Sequence, residues 1–234
     1  VTAPPNVLLA GIVGSTAYGL NTVDSDIDRL GLFAAPTVAF HGLHPPMETH
    51  VTRRPDATFH EAAKWCRLAL GGNPTVTELA WLPDDLYETR TVLGNDLIGI
   101  RSAFLSAKRV RDAYLGYATQ QFRKLEVRGD GSFSADTRKR TAKHARHLLR
   151  LCHQGLQLYV TGRVEIRLDD PRRFHDFGER AAGGDIRHVR DALADYEQAF
   201  TDSVTPLPAR PDEKTVERWL LAVRAALYHQ EPTA

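Results

Sequence analysis

The chain has 234 residues, 42% hydrophobic and 25% charged, with a formal net charge of +1. That is ordinary for a soluble globular protein and enough for one large domain or two small ones. No apolar run approaches the ~20 residues that a membrane span needs. VTAPPNVLLAG at the start lacks the basic region of a secretory signal, and a start at Val rather than Met is expected to reflect a trimmed or reassigned start. Charge is segregated: residues 1–100 hold 6 Lys/Arg against 11 Asp/Glu, residues 101–170 hold 15 against 7, and residues 171–234 hold 9 against 11. This suits a protein that holds cations in one place and polyanions in another, although a solvated basic helix face gives similar counts. Cys66 and Cys152 fall on predicted apolar helix faces with no CxxC. They read as reduced core thiols, which points to a cytoplasmic protein.

In chain order, VLLAGIV (7–13) reads as a buried strand ending at Gly14, and TAYGL as a helical turn. IDRLGLFAA (27–35) reads as a second strand, residues 36–46 as a loop, and ETHVTRRPDAT (48–58) as a third strand interrupted by Pro55. From Phe59 the period turns helical: FHEAAKWCRLAL (59–70) ends at Gly71-Gly72, and Asn73-Pro74 opens a short helix through Leu79. Helical patterns follow at roughly 95–107, 108–127, 136–161, 185–200 and 213–229, with GDGS (129–132) and DDP (169–171) as turns. The expected organisation is a small mixed α/β core over 1–90 and a helical domain over 91–234.

GSTAYGLNTVDSDID (14–28) carries the chemistry. On a strand, alternate residues share a face, so the spacing aims Asp26 and Asp28 the same way, with Asp24 next in the series. Carboxylates that close repel unless a cation sits among them, and Mg²⁺ takes one or two carboxylates with phosphate oxygens and water. Ten residues separate Ser15 from Asp26, and the Gly14-Ser15 turn leaves a strand with backbone N–H groups and a hydroxyl able to face an anion. A phosphate-holding turn beside metal-holding carboxylates is what nucleotide transfer requires.

GS, ten residues, then DxD resembles the signature of the DNA polymerase β-like nucleotidyltransferase superfamily. GSTAYG followed by SDIDRLGLF is similar to the branch that includes RNA-ligase-associated polymerases. HEAAKWCRLALGGNPTVTELAWLP (60–83) and KHARHLLRLCHQGLQLYVTG (143–162) extend the likeness over most of 7–165. The resemblance implies an α+β fold, with a polymerase β palm-like mixed-sheet core followed by a helical domain that contributes basic helix 136–161. It maps the metal pair onto Asp26 and Asp28, which leaves a solvated acidic turn as the reading of Asp24. A third carboxylate is expected, with Glu48, Asp56 and Glu61 as candidates. Asp56 is preferred, to complete the metal site and activate the acceptor hydroxyl.

On a helix Lys143, His147 and Arg150 fall within a ~60° arc opposite Ala145, Leu148, Leu149, Cys152 and Leu156, so an exposed basic stripe is expected. The resemblance implies Lys143 as a triphosphate contact supported by His147 and Arg150; an ordinary solvated face is the alternative. His144 reads as structural, and Gly71-Gly72-Asn73 as a helix end and a cap, with a base or acceptor pocket as the alternative. Arg53-Arg54 reads equally as a phosphate contact or a loop charge pair, Lys64 as a local partner of Glu61, and His175-Asp176 as incidental.

The implied function is a nucleotidyltransferase dependent on Mg²⁺ or Mn²⁺. It would move an NMP from an NTP such as ATP to a hydroxyl acceptor, foremost an RNA 3′ end, tRNA included, and release pyrophosphate. Transfer to a protein side chain or small molecule, and a non-catalytic nucleotide- or RNA-binding module, are the alternatives. No membrane partner is expected, and the oligomeric state is left open.

Overall fold

The computed structural model describes residues 4–23, 25–128 and 135–230, which form two compact units. Asp24 and the GDGS turn lie outside the described residues.

In the first unit VLLAGIV forms β1 (Val7–Val13), and Gly14 turns the chain into the short helix α1 (Gly14–Tyr18). Strand β2 (Asp28–Phe33) returns antiparallel to β1, with Val13 opposite Asp28 and Leu9 opposite Leu32. The segment expected to hold one strand holds two. β3 (Thr49–Arg53) and β4 (Asp56–Glu61) form a tight hairpin with Arg53 opposite Asp56. β4 runs parallel to β2, Arg29 lying opposite Ala57 and Gly31 opposite Phe59. β5 (Tyr87–Arg90), a short polar strand that alternation alone does not reveal, pairs with the other edge of β1. The sheet order is β3-β4-β2-β1-β5.

Alternation sorts the two faces. Ala10, Phe33, Ala57 and Phe59 form one buried cluster, with Val7 against it. Gly31 is required there, because a Cβ would stand 2.2 Å from the Phe59 ring. Leu9, Leu30 and Leu32 are buried on the opposite face, and α2 (Ala62–Leu70) packs against β2 and β4. That helix begins three residues later than the helical period suggests. Phe59 and Glu61 are held in the parallel ladder opposite Gly31 and Phe33. The Glu61 carboxylate then caps the helix, accepting from the Ala63 N–H at 2.9 Å. α3 (Pro74–Thr77) is capped by Asn73, whose side-chain oxygen accepts from the Val76 N–H at 3.2 Å. α4 (Val92–Gly99) is capped by Thr91.

The second unit comprises α5 (Ala107–Arg128), α6 (Ala135–Thr161), α7 (Pro171–Ala182) and α8 (Arg187–Asp202). Tyr114, Ala118, Phe122, Leu148, Cys152 and Phe174 are among its buried residues. α7 replaces a loop expected after the DDP turn. Asp170 accepts from the Arg173 N–H at 3.3 Å and Pro171 occupies the first helical position, so DDP starts a helix instead of interrupting the chain.

The chain divides at Leu105, not near residue 90, and α9 (Glu213–Ala226) returns to the first unit. Hydrogen bonds and an ion pair hold it there. The Asp212 N–H donates to the Ala103 carbonyl at 2.8 Å, and the Trp219 indole N–H to the Leu93 carbonyl at 2.9 Å. Arg224 grips Glu61 with both guanidinium arms at 2.6 and 2.9 Å. The Glu61 side chain is 3% exposed and that of Arg224 17%, and Phe40 lies 4.2 Å under the guanidinium. Removing one partner from such a buried pair strands the other, at a cost of about 3–5 kcal/mol. The exposed pair between Glu48 and Arg67 is worth about 0–1 kcal/mol. Urea unfolding should therefore show Glu61→Ala destabilised by about 3–5 kcal/mol and Glu48→Ala by under about 1 kcal/mol.

Candidate functional site

The end of the sheet where β1 finishes and β2 and β4 begin gathers the carboxylates. Asp28 pairs with Val13 at the last position of β1. Asp28 and Asp56 each stand one residue before the register pair Arg29–Ala57 of the parallel ladder, so alternation sends both side chains to one face. Neighbouring strands lie about 5 Å apart, which sets the backbones of the two aspartates one strand spacing apart. Arg53, opposite Asp56 across the hairpin, extends the row to the sheet edge.

Gly14 is locked into this corner. Its φ is 69°, in the left-handed region, and a Cβ there would stand 2.3 Å from the Asp28 Oδ2. The Asp28 carboxylate thus rests against the backbone of the Gly14-Ser15 turn. Ser15 is half-buried, and its carbonyl accepts from the Leu20 N–H at 2.8 Å, closing α1. Tyr18 on the same helix donates from its hydroxyl to the buried Glu78 carboxylate at 2.5 Å, fixing α1 from behind.

The expected trio is only partly drawn together. β2 starts at Asp28, so strand alternation does not reach Asp26, which is exposed in the preceding loop. Asp56 is exposed at the first position of β4, a strand start and not a strand end. Among the described residues no three His, Cys, Asp or Glu side chains form a group that could hold a metal ion. What the chain supplies is the Asp28–Asp56 pair against a backbone turn. That fits a hard cation completing its shell with phosphate oxygens and water, not an all-protein cage. The other two carboxylate candidates are already engaged, Glu48 by Arg67 and Glu61 by Arg224. Lys64 donates to the Thr49 hydroxyl at 2.7 Å instead of pairing with Glu61.

The basic stripe of α6 also divides. Lys143 is exposed, His147 half-buried and Arg150 only 2% exposed. Arg150 turns inward because polar partners receive it. Its Nη1 donates to Gln154 Oε1 at 2.7 Å, and Gln154 in turn donates to the carbonyls of Glu165 and Ile166 at 3.0 Å each. Its Nη2 lies 3.1 Å from His147 Nδ1. A guanidinium can only donate, so that ring nitrogen accepts and carries no proton. Burial pushes the His147 pKa down to about 3, with Arg150 and other cationic neighbours adding to the effect. His147 is therefore neutral at pH 7 and supplies no charge to an anion. His144 Nδ1 lies 2.8 Å from Gln121 Oε1 on α5. Burial raises both cysteine thiols to about 12, so neither serves as a nucleophile.

The glycine corner and the buried histidine can each be tested by stability. Gly14→Ala should lose about 1–2 kcal/mol from the left-handed φ alone, and more from the clash with Asp28. Gly42→Ala, whose φ is −75° and whose added Cβ would meet only the Ala39 carbonyl at 3.4 Å, should leave the urea midpoint unchanged. For His147, the unfolded ring binds a proton below its ordinary value of 6.5 while the folded ring resists one down to about 3. The unfolded state therefore takes up more protons in that window, and stability falls as pH drops through it. The slope approaches about 1.4 kcal/mol per pH unit well below 6.5. His60 and His153 shift the same way, so the readout is the smaller slope of His147→Gln relative to wild type between pH 7 and pH 5.

No helix among the described residues is long and apolar enough to cross a membrane. A nucleotidyltransferase-like protein from Exiguobacterium sibiricum has a solved structure that aligns over 98% of this chain and 77% of its own. Identity is 14% and the TM-score 0.32, values too low to inform the site. No curated protein matches the chain. The RNA repair pathway DNA polymerase beta family matches residues 2–191. That span takes in the Gly14–Asp28 corner, β4 and the whole of α6. The chain belongs to this family and is a polymerase β-like nucleotidyltransferase.

Proposed function

We propose that the protein transfers an NMP from an NTP to the terminal hydroxyl of an RNA 3′ end and releases pyrophosphate. The observation that carries this reading is the in-register placement of Asp28 and Asp56 on one sheet face, with Asp28 resting on the Gly14-Ser15 turn. The turn would offer backbone donors and the Ser15 hydroxyl to the triphosphate, and a side chain at residue 14 would displace the Asp28 carboxylate that rests beside it. Asp28, Asp56 and the nearby Asp26 would hold Mg²⁺ or Mn²⁺. When bound, the ion neutralises charge on the attacked phosphate and the leaving group. Asp56 takes the proton of the acceptor hydroxyl. The hydroxyl oxygen bonds to the α-phosphorus as the bond to the β-phosphate bridging oxygen breaks, and pyrophosphate leaves in line. Lys143 is the exposed cation proposed for the β- and γ-phosphates. Neutral His147 and buried Arg150 act behind it by fixing α6, not as ligands.

Labelled NTPs incubated with Mg²⁺ and RNA, total protein or small hydroxyl compounds identify the acceptor by which one carries label. RNA labelling is expected, with loss in EDTA, recovery on added Mg²⁺, and a drop of at least ~100-fold in Asp28→Asn. Equal product from Asp28→Asn and wild type, or no product from wild type with any NTP and acceptor, overturns transfer. Label on protein or a small compound in place of RNA overturns the acceptor.

A further inference from the structure

The hairpin tip between β3 and β4 presents two arginines that the reaction as described does not use. Arg53 closes β3 opposite Asp56, and Arg54 follows it; both are exposed. The tip is pinned, with the Thr52 hydroxyl donating to the Pro55 carbonyl at 2.5 Å. Cross-strand neighbours bring Cβ atoms to about 5 Å, so Arg53 stands beside Asp56. Neither arginine side chain makes a hydrogen bond or an ion pair among the described residues. Arg53 thus stands at the site's edge with its donors uncommitted, and Arg54 adds a second uncommitted cation at the same hairpin tip.

Their position in the row decides which part of the reaction they meet. Across the sheet the order at this end is Val13 with the Gly14 turn, then Asp28, Asp56 and Arg53. In-line displacement puts the leaving pyrophosphate and the attacking hydroxyl on opposite sides of the α-phosphorus. With the triphosphate at the Gly14-Ser15 turn and phosphorus over the two carboxylates, the acceptor approaches from the β4–β3 side. Three strand spacings, about 14 Å, separate the triphosphate turn from Arg53. That distance sets the arginines apart from the β- and γ-phosphates and beside the acceptor. A guanidinium fork matches the paired oxygens of a phosphodiester and adds charge attraction to it.

We propose that Arg53 and Arg54 grip a phosphodiester of the acceptor strand just upstream of its 3′ hydroxyl, and so select a polynucleotide over a mononucleoside. This rests on the transfer reading above. Arg on an edge strand also blunts edge-to-edge pairing, a role that would leave nucleic-acid affinity untouched.

The test compares wild type, Arg53→Ala/Arg54→Ala and a control, Lys214→Ala on the exposed start of α9. A fluorescent RNA oligonucleotide with a free 3′ hydroxyl is bound without NTP over a range of salt, and transfer to the same oligonucleotide is then measured. The double variant should bind RNA about tenfold more weakly, and the slope of log affinity against log salt should shrink by about 0.7 for each phosphate no longer neutralised. The KM for RNA should rise while the KM for NTP and transfer to a mononucleoside stay unchanged, and Lys214→Ala should match wild type. The proposal is overturned if wild type does not bind the oligonucleotide, if the double variant binds it equally, or if the NTP KM rises in place of the RNA KM. If the arginines set RNA affinity but wild type transfers no NMP, the phosphodiester grip stands and the chemistry falls.

Discussion

The parallel pairing of β4 with β2 is the constraint on which the site depends. Antiparallel hairpins bring the end of one strand beside the start of the next, which suffices to put Asp28 beside Val13 and the Gly14 turn. It does not bring a second strand start to the same level. Parallel pairing does, because Arg29 opposite Ala57 forces the preceding residues of both strands, Asp28 and Asp56, to one end and one face. The connection that makes this possible runs from Ala34 through a 3-10 turn at Thr37–His41 and then β3, which lies antiparallel on the outer edge of β4. β3 therefore supplies the crossover back to the carboxylate end and also carries Arg53 to it.

Holding β4 at this level requires its far end to be fixed, and Glu61 does that. It is the last ladder residue of β4, the cap of α2 and the buried partner of Arg224. One carboxylate thus joins a strand, a helix start and the C-terminal helix α9. The first unit is consequently closed by residues far along the chain, and a cut near residue 90 would separate Glu61 from the cation that compensates it. Glu61 also lies at the opposite end of β4 from Asp56. These two acids in one short strand stand in different surroundings, Glu61 buried in an ion pair and Asp56 exposed.

The corner is legible in the sequence because its signal is local. VLLAGIV, the glycine turn and DRLGLF announce strand, turn and strand, and the interval from Ser15 to Asp26 is a motif with a mechanism. What stays hidden depends on contacts between distant residues. FHE reads as the start of an amphipathic helix, since HEAAKWC has that period, yet Phe59 is claimed by Gly31 across the parallel ladder. YETR is too short and polar to register as a strand without β1 beside it. A helical wheel places Arg150 with Lys143, but it cannot foresee that Gln154 and His147 would receive a guanidinium inside the second unit. Spacing groups Asp26 with Asp28, whereas the strand begins only at Asp28.

The ten-residue interval itself has a physical meaning that differs from its appearance. Its loop, from α1 to β2, runs over the surface at Asn21, Thr22 and Val23, and surface loops accept changes of length at little cost. The register of Val13 with Asp28 does not, because a slip of one residue in β2 would carry Asp28 to the opposite face and bring Arg29 against Gly14. Gly14 and Asp28 enforce that register on each other. Only a residue without a Cβ leaves room for the carboxylate, and only the correct pairing puts the carboxylate there. The contact between Gly14 and Asp28 is thus what the fold fixes, and the count of residues between Ser15 and Asp26 only has to be long enough to let the chain return to it.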